Sequence, residues 1–326
     1  MSTTIRRLLL RALQTVFIVA VFVYGGEKVA SAWTDARVHG GSDLLARIRW
    51  SYLCAATGVV LLTYLLLIQL WRHILRSWGE RLGAVDAMAI WSISSLGRYV
   101  PGRVWQMAAM MTLSRRRGVS PAAATGSALL NTLLNMGAGL VVALALAGST
   151  LDRIQPGASG VGAIAIALAV LGMLVLPWLL PTLVRIVGRV LGREIAEPRM
   201  TAAAIWLTAG GNVVAWLLYG IAFHLFAIGV LADAAAGATS AYIAVYTGSY
   251  VVGYLTIFTP GGLGAREATM AAMLIAFGLT SEPQAWLLAF GSRLWLLVVE
   301  VLPGILFLAY STLRPPSKLN SGDATP

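Results

Sequence analysis

Charged residues are scarce in this chain of 326 residues, where Asp, Glu, Lys and Arg make up 11% against 58% hydrophobic residues. A soluble domain typically carries about 25% charged residues. The mean hydropathy is +0.79, and apolar runs long enough to cross a bilayer, roughly 20 residues each, recur along the whole chain. The sequence therefore predicts an integral membrane protein with no room for a soluble catalytic domain.

Side chains that ligate metals or act as nucleophiles are also few. Cys54 is the only cysteine, which excludes an intrachain disulfide and a thiolate metal site. The three histidines, His39, His73 and His224, have no ligand spacing. We expect no metal, no cofactor and no Ser-His-Asp or Cys-His catalytic group. His224 is interpreted either as a proton relay or as a hydrogen-bonded core residue.

Acidic residues number 13 against 24 basic ones, which gives a net charge of +11. A basic chain can bind nucleic acid, but here the basic residues lie at the ends of apolar segments. They are interpreted as topology signals and as contacts to anionic lipids, so no nucleic-acid partner is expected. Arginines before the first span and after the last predict a multi-pass protein of the cell inner membrane with both termini in the cytoplasm.

Six apolar segments are long enough to form full transmembrane helices. They are Ile5–Tyr24, Trp50–Leu70, Ala122–Ala147, Gly157–Leu180, Thr201–Leu231 and Gln284–Leu313. The first has no small-x-small cleavage pattern near its end and is interpreted as an uncleaved span. Two further apolar regions are interrupted: Asp86–Leu113 at Gly97–Gly102, and Ser240–Gly278 at Thr259–Gly264.

The order of these segments repeats within the chain. Residues 5–147 and 157–313 each contain two spans, a broken hairpin and a third span, and a polar cytoplasmic tail, 314–326, follows. If the basic loops lie in the cytoplasm, each hairpin must enter and leave the membrane on the same side. The first hairpin then lies on the cytoplasmic side and the second on the opposite side. Because each half has three spans, the second half begins on the other side of the membrane and is inverted relative to the first, as in many secondary transporters. The predicted fold is a single all-α membrane domain of about six full spans and two re-entrant broken-helix hairpins, with an inverted-topology repeat.

The first break lies in Ser94–Gln106, which reads SSLGRYVPGRVWQ. Pro101 removes a backbone donor, so a continuous helix is not expected, and non-helical backbone at membrane depth requires surrounding protein or a water-filled cavity. Arg98 and Arg103 flank the break. A cation in the bilayer needs a partner, and a lipid phosphate is well suited to a guanidinium. Alternatively, both arginines extend to the cytoplasmic interface and anchor the hairpin.

The second break lies in Phe258–Glu267, which reads FTPGGLGARE. We expect at least one of its glycines to adopt a positive φ and the helix that follows to direct its free amides into the break, as an anion site. These glycines are Gly261, Gly262 and Gly264. Alternatively, this is a glycine-rich turn that Glu267 caps, with Arg266 as its ion-pair partner.

Polar residues also occur inside the spans. Arg293 and Glu300 are too far apart along the last span to pair with each other, so each is expected to meet other helices. Glu300 is interpreted as a proton site, as the partner of a buried arginine, or as part of a structural ion pair. Asn131, Asn135 and Asn212 predict hydrogen bonds between helices.

Three segments carry a resemblance to a known family: Leu96–Gln106 (LGRYVPGRVWQ), Arg115–Gly118 (RRRG) and Pro260–Glu267 (PGGLGARE). With them the chain, from about Leu8 to Leu313, resembles the lysylphosphatidylglycerol synthase transmembrane, or flippase-like, family. In two-part members this module precedes an aminoacyl-transferase domain and moves aminoacylated phosphatidylglycerol between leaflets. Only a polar tail follows the last span here, so the resemblance implies a stand-alone membrane module. It leaves the lipid open, because stand-alone relatives are linked to hopanoids and polyprenyl carriers as well.

The leading functional hypothesis is that the chain binds, and translocates between leaflets, a lipid with a phosphate-bearing headgroup. The headgroup would contact Arg98, Arg103 and Arg266 together with Gly261, Gly262 and Gly264, and the charge-balancing or coupling residues would be Glu267, Arg293 and Glu300. Two alternatives remain: a membrane-embedded transferase with Glu267 or Glu300 as general base, or an accessory subunit that binds a lipid-synthesis enzyme.

Overall fold

The structure is a computed structural model that describes residues 19–28, 30–31, 48–99, 104–154, 156–191, 201–231, 234, 237–256 and 262–313. Every regular element in these ranges is helical, which confirms the predicted all-α class. The helices are α1 (19–28), α2 (Trp50–Arg76), α3 (Ala84–Ser95), α4 (Val104–Arg115), α5 (Pro121–Ile154), α6 (Ala158–Leu191), α7 (Ala202–Val230), α8 (Thr239–Leu255), α9 (Ala265–Ala276) and α10 (Glu282–Leu313).

Among the described residues, five helices are long and apolar enough to cross a bilayer. They are α2, α5 as far as Gly148, α6 as far as Leu179, α7, and α10 as far as Ala309. They match the second to sixth predicted spans, while the first predicted span lies mostly outside the described ranges. Two of these helices continue past the predicted span: α5 passes a kink at Gly148, where φ is 43°, and α6 extends to Leu191.

Both predicted interruptions are confirmed. The first separates α3 from α4 and begins with a 3-10 turn at Leu96–Tyr99; the second separates α8 from α9. In each case a glycine lies against backbone. A Cβ atom on Gly97 would come 2.7 Å from the backbone nitrogen of Gln106, and one on Gly262 would come 2.6 Å from the carbonyl oxygen of Gly253. The segments on either side of each break therefore approach more closely than any side chain would allow.

The loops that follow α2 and α4, which contain Arg81, Arg116 and Arg117, lie together at one end of the bundle. Asp86, in the first turn of α3, forms a salt bridge of 2.8 Å with Arg117, which follows α4. Glu80, which follows α2, accepts a hydrogen bond of 2.9 Å from the backbone N–H of Ser120, which precedes α5. The outer ends of the first hairpin therefore lie together, beside the end of α2 and the start of α5.

Two other contacts join helix ends that were predicted to lie on the opposite side of the membrane. Lys28 Nζ lies 3.2 Å from Glu282 Oε2, which ties the end of α1 to the start of α10. The backbone N–H of Arg49 donates a 2.9 Å hydrogen bond to the carbonyl oxygen of Gly229, which ties the start of α2 to the end of α7. Both pairs agree with the grouping of loops that the charge pattern predicted.

The last helix of each half of the chain packs against the hairpin of the other half. Helix α5, the last of the first half, packs against α8 of the second hairpin, and α10, the last of the second half, packs against α3 of the first. Helix α5 also packs against α4, the second arm of the first hairpin, and against α6, the first span of the second half. Helix α10 likewise packs against α9 and against α1. The predicted internal repeat would produce this pattern.

The direction of the central helix pair supports the inversion. Helices α2 and α7 occupy equivalent positions in the two halves. A Cβ atom on Gly229 would lie 3.1 Å from the side chain of Leu53, and one on Gly211 would lie 2.6 Å from that of Leu70. The contacts run in opposite order along the two helices, so α2 and α7 are antiparallel, as an inverted repeat requires.

Asparagine side chains form hydrogen bonds between α5 and α7, as predicted. Asn135 Nδ2 donates to Asn212 Oδ1 over 2.7 Å, and Asn212 Nδ2 lies 3.3 Å from Asn131 Oδ1. His224 is a hydrogen-bonded core residue: its Nδ1 lies 3.0 Å from Thr239 Oγ1, and only 4% of it is exposed. Such bonds hold helices together where lipid offers no competing partner.

Candidate functional site

Two glycines at the second break have backbone angles in the left-handed region of φ/ψ space. Gly262 has a φ of 70° and Gly264 a φ of 82°, which confirms the expectation of a positive φ; Gly261 lies outside the described residues. No side chain fits at Gly262, because the Gly253 carbonyl oxygen occupies the space. These two positions lead the chain into the first turn of α9.

The start of α9 is capped by its own carboxylate. Glu267 Oε2 accepts a hydrogen bond of 2.8 Å from the backbone N–H of Gly264, and only 1% of the Glu267 side chain is exposed. A carboxylate in this position satisfies a free backbone donor and the positive end of the helix dipole. Glu267 therefore caps this turn, as the alternative interpretation of the second break predicted.

Arg293 of α10 is the ion-pair partner of Glu267 and donates from Nη1 to Oε1. The alternative that paired Glu267 with Arg266 is wrong. Adjacent residues of a helix point in different directions, so when Glu267 faces α10, Arg266 faces α8. The expectation that Arg293 meets a helix other than its own is confirmed.

Arg266 lies against two tyrosines of α8. Its Cζ atom is 5.1 Å from the ring centroid of Tyr250 and 5.4 Å from that of Tyr246, which is cation–π geometry. Gly253 permits this approach, because a Cβ atom there would lie 2.7 Å from the Arg266 Cβ. The Arg266 Nη2 atom is buried and has no hydrogen-bond partner in the described part of the chain. One donor group of this partly buried cation is thus unsatisfied within the described residues.

Glu300 belongs to the same neighbourhood. Its carboxylate is within electrostatic range of Tyr219 on α7 and Tyr246 on α8, and those two rings stack with centroids 5.9 Å apart. The expectation that Glu300 meets other helices is therefore confirmed as well. It lies two turns along α10 from Arg293, about 10 Å away along the axis.

Four charged residues thus lie on α9 and α10: Glu267 and Arg293 form an ion pair, and Arg266 and Glu300 both lie near Tyr246 of α8. From Thr201 to Ala309, the described charged residues other than Glu282 at the start of α10 are Arg266, Glu267, Arg293 and Glu300. Two are cationic and two anionic, so their formal charges cancel. The tyrosines around them were not identified from the sequence, although a signal was present: Tyr242, Tyr246, Tyr250 and Tyr254 recur every four residues along α8, which places them along one side of the helix.

The first break is less fully described. Arg103 lies outside the described residues, and for Arg98 only the backbone, within the 3-10 turn, is described. The hairpin itself is fixed by α10, since a Cβ atom on Gly304 would lie 2.9 Å from the carbonyl oxygen of Ser92. The last helix therefore contacts both hairpins, through Gly304 at the first and Arg293 at the second.

A groove of about 750 Å³ runs between α2, α3 and α10. Its walls are almost entirely apolar and include Leu61, Val85, Val298, Leu302 and Leu306. At one end Trp295 Nε1 donates a 3.0 Å hydrogen bond to Thr57 Oγ1. Such a groove is suited to a hydrocarbon chain.

Within the described ranges, no group of three or more His, Cys, Asp or Glu side chains is placed to hold a metal ion. Comparison with curated proteins gave no match. The family model of the lysylphosphatidylglycerol synthase TM region matches residues 6–304, which include both broken hairpins and the four interior charges. The chain therefore belongs to the family of the lysylphosphatidylglycerol synthase transmembrane region, membrane-embedded proteins with a lipid-related function.

Proposed function

We propose that this protein binds a lipid with a phosphate-bearing headgroup and translocates it between the leaflets of the cell inner membrane. The observation that carries the proposal is the buried Nη2 atom of Arg266, which has no hydrogen-bond partner among the described residues. It lies beside a broken helix in a chain of a lipid-related membrane family.

The energetics favour an anionic ligand at Arg266. A guanidinium inside a bilayer costs at least a few kcal/mol unless it is paired, and the tyrosine rings compensate only part of that cost. A phosphate accepts two parallel hydrogen bonds from a guanidinium. In the proposal, the headgroup completes the pairing of Arg266, and the positive φ of Gly262 and Gly264 gives the tight turn that precedes Arg266.

The proposal extends to the first hairpin and to the lipid tail. Arg98 and Arg103 would receive the headgroup from the cytoplasmic side, because the first hairpin is proposed to enter from that face and the second from the other. The groove along α10 would hold a hydrocarbon chain, since its walls offer apolar surface and few competing polar groups. Both termini would lie in the cytoplasm.

The protein is proposed to act as a transporter and not as an enzyme, alone or beside a separate lipid-synthesis enzyme. Analysis of reaction products by mass spectrometry separates it from a transferase. Transport by the purified chain in liposomes separates it from an accessory subunit.

The test of binding is the lipid that co-purifies with the protein. Wild-type protein is purified in mild detergent, and bound lipids are extracted and identified by mass spectrometry, with Arg266→Gln as the test variant and Arg117→Gln as the control. Arg117 is an arginine outside the site, paired with Asp86 at the loop end. We expect a phosphate-bearing lipid on the wild type and the control, and at least about tenfold less on Arg266→Gln, since a charge-assisted contact contributes about 1.5–3 kcal/mol. Equal retention by all three proteins would contradict the assignment of Arg266.

A further inference from the structure

A second cavity, of about 340 Å³, lies where α2 ends and is lined by Arg76, Arg81 and Leu82. Arg72 fixes the loop after α2 against the helix, because its Nη2 and Nε atoms donate hydrogen bonds of 2.9 Å and 3.1 Å to the carbonyl oxygen of Leu82. Leu82 is buried, whereas Arg76 and Arg81 are exposed. The cavity is therefore bordered by one apolar residue and two cationic ones, in a loop that is held in place.

The two arginines of this cavity are not neutralised by the described part of the chain. Neither side chain forms a hydrogen bond or an ion pair with another described residue. The acidic residues close to them in sequence are engaged elsewhere: Glu80 accepts from the backbone of the loop before α5, and Asp86 pairs with Arg117. Two guanidinium groups that border one cavity favour an anion, and a phosphate can accept paired hydrogen bonds from each.

The apolar groove between α2, α3 and α10 comes close to this cavity. Val85, in the first turn of α3, lines the groove and is three residues from Leu82, so their Cα atoms are at most about 11 Å apart. Along α10 the groove extends from Trp295 to Phe307, about 18 Å at the helical rise. One leaflet contributes about 15 Å of hydrocarbon to the bilayer, half of its core. The groove therefore has the length of a lipid chain within a single leaflet.

We propose that the cavity and the groove form one site for a phospholipid of the cytoplasmic leaflet. Arg76 and Arg81 bind the phosphate of the headgroup, and the groove holds a hydrocarbon chain. This inference rests on the proposed function, which directs the loop after α2 toward the cytoplasm. The site is separate from Arg266, which lies against α8.

Such a site would load the lipid for translocation. Helix α3 borders the groove and is also the first arm of the first hairpin. A lipid held by Arg76 and Arg81 therefore lies beside the hairpin that is proposed to receive its headgroup. The hydrocarbon chain need not leave the apolar layer when the headgroup moves inward.

The test maps where a photoactivatable lipid attaches to the purified full-length protein in dodecyl maltoside. The probe is phosphatidylglycerol with a diazirine in one acyl chain, and labelled residues are identified by mass spectrometry. We expect Leu302 and Leu306 of the groove to be labelled at least about tenfold more than Leu168 of α6, since a charge-assisted contact is worth about that factor or more. All three leucines are exposed to a similar extent. A diacylglycerol with the same diazirine has no phosphate and should lose most of this preference.

Variants test the two parts of the site. Arg76→Gln/Arg81→Gln should reduce labelling of the groove at least about tenfold. Arg115→Gln/Arg116→Gln, the matched control, removes the same charge from the loop end of α4 and should leave labelling unchanged. Leu302→Trp fills the groove without a change of charge and should reduce labelling of Leu306. The comparison of the two probes on the wild type needs no variant, so the test holds even if a variant does not fold.

Equal labelling of the groove in the two double arginine variants would overturn the inference, and Arg76 and Arg81 would then serve only to orient the chain in the membrane. Competition by glycerol phosphate as strong as that by unlabelled phosphatidylglycerol would overturn it too, because the groove would then contribute nothing. Arg266→Gln should label like the wild type. Co-purification of lipid with Arg266 tests the proposed function by itself, so the two failures can be told apart.

Discussion

Arg293 of α10 is bonded to Glu267 of α9, so the last described helix is tied to the first turn after the second break. The carboxylate is almost fully buried, whereas the guanidinium is 22% exposed. Removing the cation leaves an uncompensated buried carboxylate, which costs more than the pair contributes.

Arg293→Met should therefore destabilise the protein by about 3–5 kcal/mol, seen as a lower Tm in detergent. Adding Glu267→Gln to Arg293→Met should recover much of the loss, because the double variant no longer buries a lone charge. A double variant less stable than Arg293→Met would show that the pair is not the reason for the destabilisation.

Gly262→Ala should disrupt the second hairpin, and Gly278→Ala is its matched control. Both glycines have a positive φ, 70° and 65°, which costs any other residue about 1–2 kcal/mol. Only at Gly262 does the new Cβ meet backbone, 2.6 Å from the Gly253 carbonyl oxygen, while at Gly278 nothing lies within 4 Å. Gly262→Ala should lose roughly 1–3 kcal/mol more and should also lose bound lipid, measured by Tm and by mass spectrometry. Equal losses in both variants would show that the contact with Gly253 does not matter.

Gly97→Ala probes the first hairpin in the same way. Its Cβ would lie 2.7 Å from the Gln106 nitrogen, whereas at Gly83 the nearest atom is 3.7 Å away. We expect Gly97→Ala to cost about 1–3 kcal/mol through overpacking and Gly83→Ala to leave Tm nearly unchanged. A Gly97→Ala protein as stable as Gly83→Ala would mean that α3 and α4 do not pack this closely.

The orientation can be tested with single cysteines. Cys54 is exposed and is first replaced by alanine. Arg116 and Ser281 are exposed at opposite ends of the bundle. In intact cells, a membrane-impermeant maleimide should label Ser281→Cys, and it should label Arg116→Cys only after the inner membrane is permeabilised. Labelling of both positions from the same side would contradict the inverted repeat.

Much of the architecture could be predicted because it depends on local patterns. Apolar length gave the spans, and proline with glycine gave both breaks. The partners within the site could not be predicted, because they depend on which faces meet after the helices pack. The choice of Arg293 over Arg266 as the partner of Glu267 is such a case. The tyrosines of α8 are an intermediate case. Their four-residue spacing is visible in the sequence, but their contact with Arg266 could be recognised only from the structure.

The central claim is tested most directly by transbilayer movement of the lipid. The purified protein is inserted into liposomes that contain a trace of the co-purifying lipid, mass-labelled in one leaflet, and the labelled fraction that reaches the other leaflet is followed over time. The account predicts rapid movement with the wild type and with Arg117→Gln, and at least about tenfold slower movement with a folded Arg266→Gln. Movement with the wild type no faster than in protein-free liposomes would contradict it.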